Sequence, residues 1–151
     1  MAHWSVPFDK LAKKVKQDFE TVVRASAFKL FSDVVIRSPV DTGRFRANWN
    51  VSFNVMDTST SEATQKDMYA KMSQIRTALL SMPLGGTYWL SNSLPYAIPL
   101  EYGQYPDPPV GGEDKTVGGF SKQAPHGIVR ISAREFAGNV ERIVAGQSKS
   151  L

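Results

Sequence analysis

Chemistry-bearing residues are most concentrated in the stretch Ser38-Pro39-Val40-Asp41-Thr42-Gly43-Arg44. Asp-Thr-Gly is the triplet with which aspartic peptidases present a carboxylate; two such loops meet so that one shared proton makes the pair both acid and base. Asp41 is therefore a candidate catalytic residue. The same letters also describe an ordinary turn: proline stops a helix, Asp and Thr side chains bond nearby backbone N–H groups, and glycine accepts a positive φ. A second acid, Glu101, could in principle join Asp41 as a glycoside-hydrolysing pair. Each catalytic reading needs a fold that brings two carboxylates together, so the surrounding elements decide.

Other chemistries find no support. The chain has no cysteine, which excludes a disulfide scaffold and a thiolate metal site and fits folding in a reducing cytoplasm. His3 and His126 lie far apart without ligand spacing, so no metal is expected. Neither GxxxxGK[ST] nor GxGxxG occurs, and Gly111-Gly112 and Gly118-Gly119 lack a flanking strand and helix, so no cofactor is expected either. Aromatic residues interleave with Arg44 and Arg46 as in a stacking platform for single strands. Strict alternation puts Phe45 and Trp49 on the face opposite Arg46, so these rings are expected in the core.

The elements that would position these residues follow from periodicity. At 151 residues the chain reads as one domain with a core of its own. From Pro7 to about Arg37, Phe8, Leu11, Val15, Phe19, Val22, Leu30 and Val34 recur at helical spacing, predicting an amphipathic helix roughly 45 Å long that Pro39 ends. Phe45 to Val55 alternates apolar and polar and predicts a strand, whose polar face (Arg46, Asn48, Asn50, Ser52, Asn54) meets water or a partner. A second helix is expected over 61–82, and a short strand over Thr87–Asn92. One or two helical turns over 94–103 should end at Gly103. Residues 104–125, rich in Gly and Pro, form an extended loop expected to hold no regular structure. A strand-like start followed by a terminal helix is expected over 127–146, and 147–151 should be a flexible tail. The N-terminus lacks a signal h-region, and no window approaches the ~18 apolar residues of a membrane span. The expectation is a soluble, unprocessed chain with no membrane contact.

Charge is distributed unevenly. Residues 1–46 carry nine Lys/Arg against five Asp/Glu, residues 47–114 three against seven, and residues 115–151 six against two. Faces of opposite sign suit head-to-tail docking of copies or contact with a polyanion. Lys10, Lys13, Lys14, Lys16, Arg24 and Lys29 are candidates to line a channel and touch the phosphates of double-stranded DNA without reading bases.

The order of elements weighs against the peptidase. The triplet follows a long helix instead of lying in a mainly β chain, and Arg44 next to the glycine would keep a carboxylate ionised. That order, with S-P-V-D-T-G-R-F-R-A-N-W leading into a strand and Y-A-I-P-L-E-Y-G later, resembles the neck and tail-completion (minor tail, head–tail joining) family of tailed bacteriophages. In that family a helix ends in a Pro-Val-Asp-Thr-Gly turn with a basic residue, and a Tyr-Ala-x-x-x-Glu-Tyr/Phe-Gly box follows. Pro39, Asp41, Thr42, Gly43 and Arg44 match the first box; Tyr96, Ala97, Glu101, Tyr102 and Gly103 match the second. Pro99 within the second box and the helix over 61–82 depart from the simplest members.

The resemblance implies an α+β fold of tail-terminator or tail-completion type, with an antiparallel sheet packed against a long N-terminal and a C-terminal helix. It implies a structural protein of the virion without catalysis, assembled in the host cytoplasm and placed at the head–tail junction. There it would form a homo-oligomeric ring, with the hexamer as expected closure, between connector or head-closure proteins and the tail terminator or tail tube. The alternatives are a tail terminator capping the tail tube and, in another class, an aspartic-type peptidase using Asp41. Within the structural reading, Asp41 and Thr42 fasten the turn, and Arg44 pairs with Glu101 or Asp41.

Overall fold

The computed structural model describes residues 7–109 and 114–148. Helix α1, Phe8–Arg37, runs uninterrupted from the Pro7 cap, with Asp9 in its first turn where the helix dipole favours an anion. It ends at Ser38, which Pro39 holds in extended geometry (φ −67°, ψ 125°). There follow α2 (Arg44–Ala47), β1 (Asn50–Phe53), α3 (Met68–Ser81), β2 (Tyr88–Ser91), α4 (Ala97–Tyr102), β3 (Thr116–Val117), β4 (Phe120–Ser121) and α5 (Val129–Ser148). The architecture is α+β, as the sequence suggests, with two small antiparallel ribbons, β1–β2 and β3–β4. In β1–β2, Val51 lies opposite Leu90 and Ser52 opposite Trp89.

The second half of α1 is the centre of the molecule. Phe31, Ser32, Asp33, Val34 and Val35 are five consecutive buried residues, so this stretch is covered on every side. Ile75 and Leu79 of α3 and Ile128, just before α5, complete the core with Phe45, Trp49, Leu94 and Leu100. Burying each large apolar side chain contributes about 1.5–3 kcal/mol. Helix α5 runs antiparallel to α1: Arg37 donates to Ser132 (2.9 Å) and to both oxygens of Glu135 (2.9 Å each), and Asn139 donates to Asp33 (3.4 Å). Helix α3 also runs against α1, its last carbonyls, Leu79 and Met82, accepting from the Arg24 guanidinium at 2.5 and 2.9 Å.

Several expectations are corrected. Residues 44–47 form a helical turn, so Phe45 to Ala47 are helical where the expected strand would begin, and the strand itself is confined to Asn50–Phe53. Gly43 O accepts from the Ala47 N–H (3.0 Å), and Asn48 closes the turn by donating its backbone N–H (3.1 Å) and its side-chain amide (2.8 Å) to Arg44 O. A short apolar alternation cannot be told from an i, i+4 pair, and Phe45 and Trp49 meet edge-to-face at 5.6 Å in the helical arrangement. The polar residues Arg46 and Asn48 are consequently buried instead of facing water. Helix α3 starts at Met68, seven residues later than expected, because the Asp67 carboxylate caps it, accepting from Tyr69 and Ala70 N–H at 2.9 and 3.3 Å.

The 104–125 stretch holds the β3–β4 hairpin, whose two-residue turn, Gly118-Gly119, has φ of 59° and 82° as a type I′ turn requires. Among the described residues no strand lies between β4 and α5, where a strand-like start was expected; an isolated bridge pairs Pro125 with Gly127. That helix continues through Ser148, so the expected tail begins later than 147, and residues 149–151 lie outside the described ones.

Gly43 has φ 89°, and a Cβ there would stand 2.8 Å from the Gln65 carbonyl carbon and 2.9 Å from the Lys66 nitrogen, both backbone. Gly43→Ala is therefore expected to lower stability by about 2–4 kcal/mol, combining left-handed strain with displacement of that strand of chain. Denaturant unfolding checks this; an unchanged midpoint would mean that the turn tolerates an ordinary residue.

Candidate functional site

The first motif works from the end of α1 outward. The Ser38 hydroxyl donates to Val34 O (2.7 Å) and accepts from the Trp49 indole N–H (2.8 Å), both out of water. Arg46 donates to Ser38 O (3.4 Å) and to Lys66 O, and Lys71 donates to Ala47 O (2.9 Å). Asn48, 2% exposed, clasps the passing chain: its amide donates to Ser61 O (3.1 Å) and its oxygen accepts from Ser61 N–H (2.8 Å). Gly43 O also accepts from Gln65 N–H at 2.9 Å. Residues 57–67, which have no regular structure, are thus sewn to the body by the turn.

Thr42 accepts from Arg44 N–H (3.2 Å), a local side-chain bond that tightens the turn. Arg44 pairs with Glu62 at 2.7 Å, not with Asp41 or Glu101 as expected. The reason is topological: the 57–67 segment lies across the turn, and Glu101 is occupied elsewhere. Asp41 faces Lys115 at 3.4 Å with its side chain 79% exposed. An exposed carboxylate beside a cation is the reverse of the desolvated, proton-sharing pair that an aspartic peptidase needs.

The second motif secures the C-terminal part of the chain. Tyr96 packs on Phe45 (5.9 Å between centroids), and Ala97 lies against the core. Glu101, 8% exposed, receives the N–H groups of Ile128 (2.7 Å), Val129 (2.8 Å) and Arg130 (2.9 Å) and the Arg130 Nε (3.1 Å). It satisfies the free donors at the start of α5 from a distant position in sequence. Burial by itself raises its pKa, but the Arg130, Val129 and Ile128 N–H groups and the Arg130 side chain outweigh it and hold the carboxyl below its ordinary value. Arg130 returns a bond to Glu101 O (2.8 Å) and lies over the Tyr102 ring at 4.4 Å. Gly103 ends α4 at φ 65°, where a Cβ would enter the Phe120 ring of the hairpin.

Between the two motifs lies an open cleft of about 710 Å³. Pro39, Val40, Phe45, Tyr96, Leu100 and Tyr105 give it an apolar lining; Asp41, Arg44, Asp114, Lys115 and Lys122 stand at its edge. The structure therefore brings Pro39, Asp41, Thr42, Gly43, Arg44 and Tyr96 together around one space. Glu101 and Tyr102 do not line it. No group of three or more His, Cys, Asp or Glu side chains among the described residues could hold a metal ion.

The basic candidates are spent unevenly. Arg24 holds the end of α3, Lys29 pairs with Asp33 (2.5 Å) and Lys14 with Asp18 (3.8 Å), whereas Lys10, Lys13 and Lys16 are exposed along the first half of α1. Sequence reasoning missed Asn48 as a clasp and Arg130 as the partner of Glu101. An Asn directly after the turn is a detectable signal for the first; nothing local marks the second.

The two motifs thus fasten chain segments on either side of an apolar cleft. The family can be stated: the model of the HK97-gp10-like family, described as bacteriophage HK97-gp10, putative tail-component, matches residues 7–103, well over half of the chain, and the chain belongs to that family of bacteriophage tail components. No curated protein and no solved structure gives a significant match. The protein is accordingly a structural component of a phage particle. Both motifs fall inside the matched region, and α5, which Glu101 caps, falls outside it.

Because the Glu101 pKa is depressed in the folded state, its stabilisation is complete above the ordinary carboxylate value and is lost as pH falls through the lower folded value. Glu101→Gln should cost about 2–3 kcal/mol at pH 7. It should also flatten the loss of stability of the wild type below about pH 4.5. Urea titrations from pH 7 to 3 measure both; parallel pH profiles for the two proteins would contradict the assignment.

Proposed function

We propose that the protein is a neck or tail-completion protein: a ring of identical subunits at the head–tail junction that joins the tail to the head. The observation that carries this reading is the family match over residues 7–103, which includes both motifs in order. The structure supports an assembling role in a second way. Its first motif uses Asp41 on the surface and directs its buried bonds inward to Trp49, Arg46 and the 57–67 segment, so the conspicuous triplet is consumed by folding. One domain over 1–151 and assembly in the host cytoplasm belong to the same proposal, as do contacts with connector or head-closure proteins and with the tail tube. A tail terminator capping the tube is the alternative within this class.

Contact with genomic DNA is part of the proposal for Lys10, Lys13 and Lys16, which remain exposed, and not for Arg24, whose guanidinium is engaged by carbonyls.

The test is genetic and structural. A phage lacking this chain should yield filled heads and finished tails that fail to join, and the tagged chain should label the head-proximal end of complete particles. Joined particles without the chain, or label at the tail tip, would overturn the placement. Asp41→Asn should leave joining weakened but not abolished, because the side chain is exposed and its ion pair is worth at most about 1 kcal/mol. Lost joining with normal folding would return catalysis to consideration. Retention of duplex DNA should weaken steeply as salt rises and fall again in a Lys10/Lys13/Lys16→Gln variant; a salt-insensitive affinity would remove DNA from the account.

A further inference from the structure

A second, smaller pocket of about 280 Å³ lies at the start of α5, lined by Phe120, Pro125, His126, Arg130, Ile131 and Arg134. Its polar groups are two guanidiniums and an imidazole, and among the described residues no carboxylate lines it. Elsewhere in the basic 115–148 stretch the cations are spent, Lys115 on Asp41, Lys122 on Asp114 and Arg142 on Asn139. Arg134 and His126 are exposed and make no hydrogen bond or ion pair among the described residues.

The fold fixes these donors before any ligand arrives, which lowers the ordering cost of binding. Arg130 is held by Glu101 and Tyr102: its Nε donates to Glu101 Oε1 (3.1 Å), its Nη2 to Glu101 O (2.8 Å), and its guanidinium lies 4.4 Å from the ring centre. That leaves Nη1 without a partner among the described residues. His126 stands on a turn pressed against α4, since Gly127 has φ 83° and a Cβ there would meet Glu101 O at 2.7 Å. Arg134 follows Arg130 by four residues and so rises from the same face of the helix, about 6 Å further along it. The helix amides contribute nothing, because Glu101 already takes those of Ile128, Val129 and Arg130. The acids of α5 are also placed elsewhere: Glu135 pairs with Arg37, and Glu141 lies about 10 Å along the axis beyond Arg134. Glu101 offsets one guanidinium charge, and the pocket keeps the other.

We propose that this pocket binds a phosphate group. Arg134 and the open edge of Arg130 donate to its oxygens, His126 supplies a third donor, and Phe120, Pro125 and Ile131 cover the atoms attached to it. Three separate donors suit an anion with several acceptor oxygens, whereas one guanidinium fork already satisfies a carboxylate. The volume falls short of the roughly 300–1,000 Å³ of a drug-sized ligand site and fits the anion with its first attached atoms. Two sources carry this group, the phosphodiester backbone of DNA and free phosphate. The site depends neither on ring closure nor on Lys10, Lys13 and Lys16.

Proton NMR of the full chain follows the His126 ring, told apart from His3 by a His3→Gln variant. Inorganic phosphate at constant ionic strength should shift the His126 signals along a saturable curve, and acetate should not. Arg134→Gln, an exposed substitution that should leave circular dichroism unchanged, is expected to weaken phosphate binding about tenfold or more. A short duplex then assigns the source. If it reproduces the His126 shift, and Arg134→Gln lowers the salt slope of duplex binding by about one, the phosphate belongs to DNA. If phosphate saturates the site while duplex leaves His126 unmoved, the occupant is the free anion. The proposal is overturned if phosphate and acetate act alike, if no shift saturates, or if Arg134→Gln binds phosphate as the wild type does. Duplex affinity that falls only in the Lys10/Lys13/Lys16→Gln variant, with no saturable phosphate shift, would keep the α1 contacts and remove this site.

Discussion

A Cβ on residue 43 would stand 2.8 Å from the backbone of Gln65, and most of the order in the N-terminal two thirds of the chain depends on that approach being open. With Gly43 at φ 89°, its carbonyl turns inward and accepts two N–H groups, one starting the α2 turn and the other anchoring residue 65. That turn sends Phe45 and Trp49 into the core on one face and brings Arg46 and Asn48 inside on the other. Buried polar groups of this kind are costly unless bonded, and nearly all of theirs are. Arg46 Nε has no partner among the described residues, as do the hydroxyls of Ser26 and Ser32 on α1. The turn is thus a junction where three segments exchange hydrogen bonds. The exposed Asp41 and Thr42 on its outer side are a consequence of that geometry, and Asp41 pairs there with Lys115.

Glu101 performs the matching task for the end of the chain. It lies on a six-residue helix that could not anchor anything by its own burial, but its carboxylate gathers three amides at the start of a twenty-residue helix. Helix α5 has few fully buried residues, among them Ser132 and Asn139, both polar. Its attachment therefore relies on directed bonds: the Glu101 cap at one end, and the Arg37–Glu135 and Asp33–Asn139 contacts along its length. The two family motifs are the two fasteners of the fold, which explains why each mixes a glycine with charged and aromatic residues.

How far this could be read from sequence differs by element. The long helix, its stop at Pro39, the Tyr88–Ser91 strand and the end of α4 at Gly103 were legible because period, proline and glycine act locally. Phe45 to Trp49 was misread because a short alternation fits strand and helical turn alike; only the Gly43 and Asn48 bonds, one of them to residue 61, settle it. The Gly-Gly hairpin was available in Val117-Gly-Gly-Phe120 but masked by the surrounding glycines and prolines. At the site, Arg44 with Glu62 and Glu101 with Arg130 depend on long-range topology that spacing does not contain. The helical stripe also gave no sign that Val15 and Phe19 would lie outside the core, since periodicity reports a face and not what covers it.

The central helix of this phage tail component is core in its second half and exposes Val15 and Phe19 in its first, a surface that the proposed ring would leave for neighbours to cover. In the proposed function the motifs fold the subunit and the subunit closes on copies of itself. Native mass spectrometry of the purified 16.7 kDa chain over a concentration series tests it most directly. One closed species is expected, with the hexamer as its closure. A stable dimer with no higher form would contradict it and restore the reading in which two Asp41 carboxylates meet.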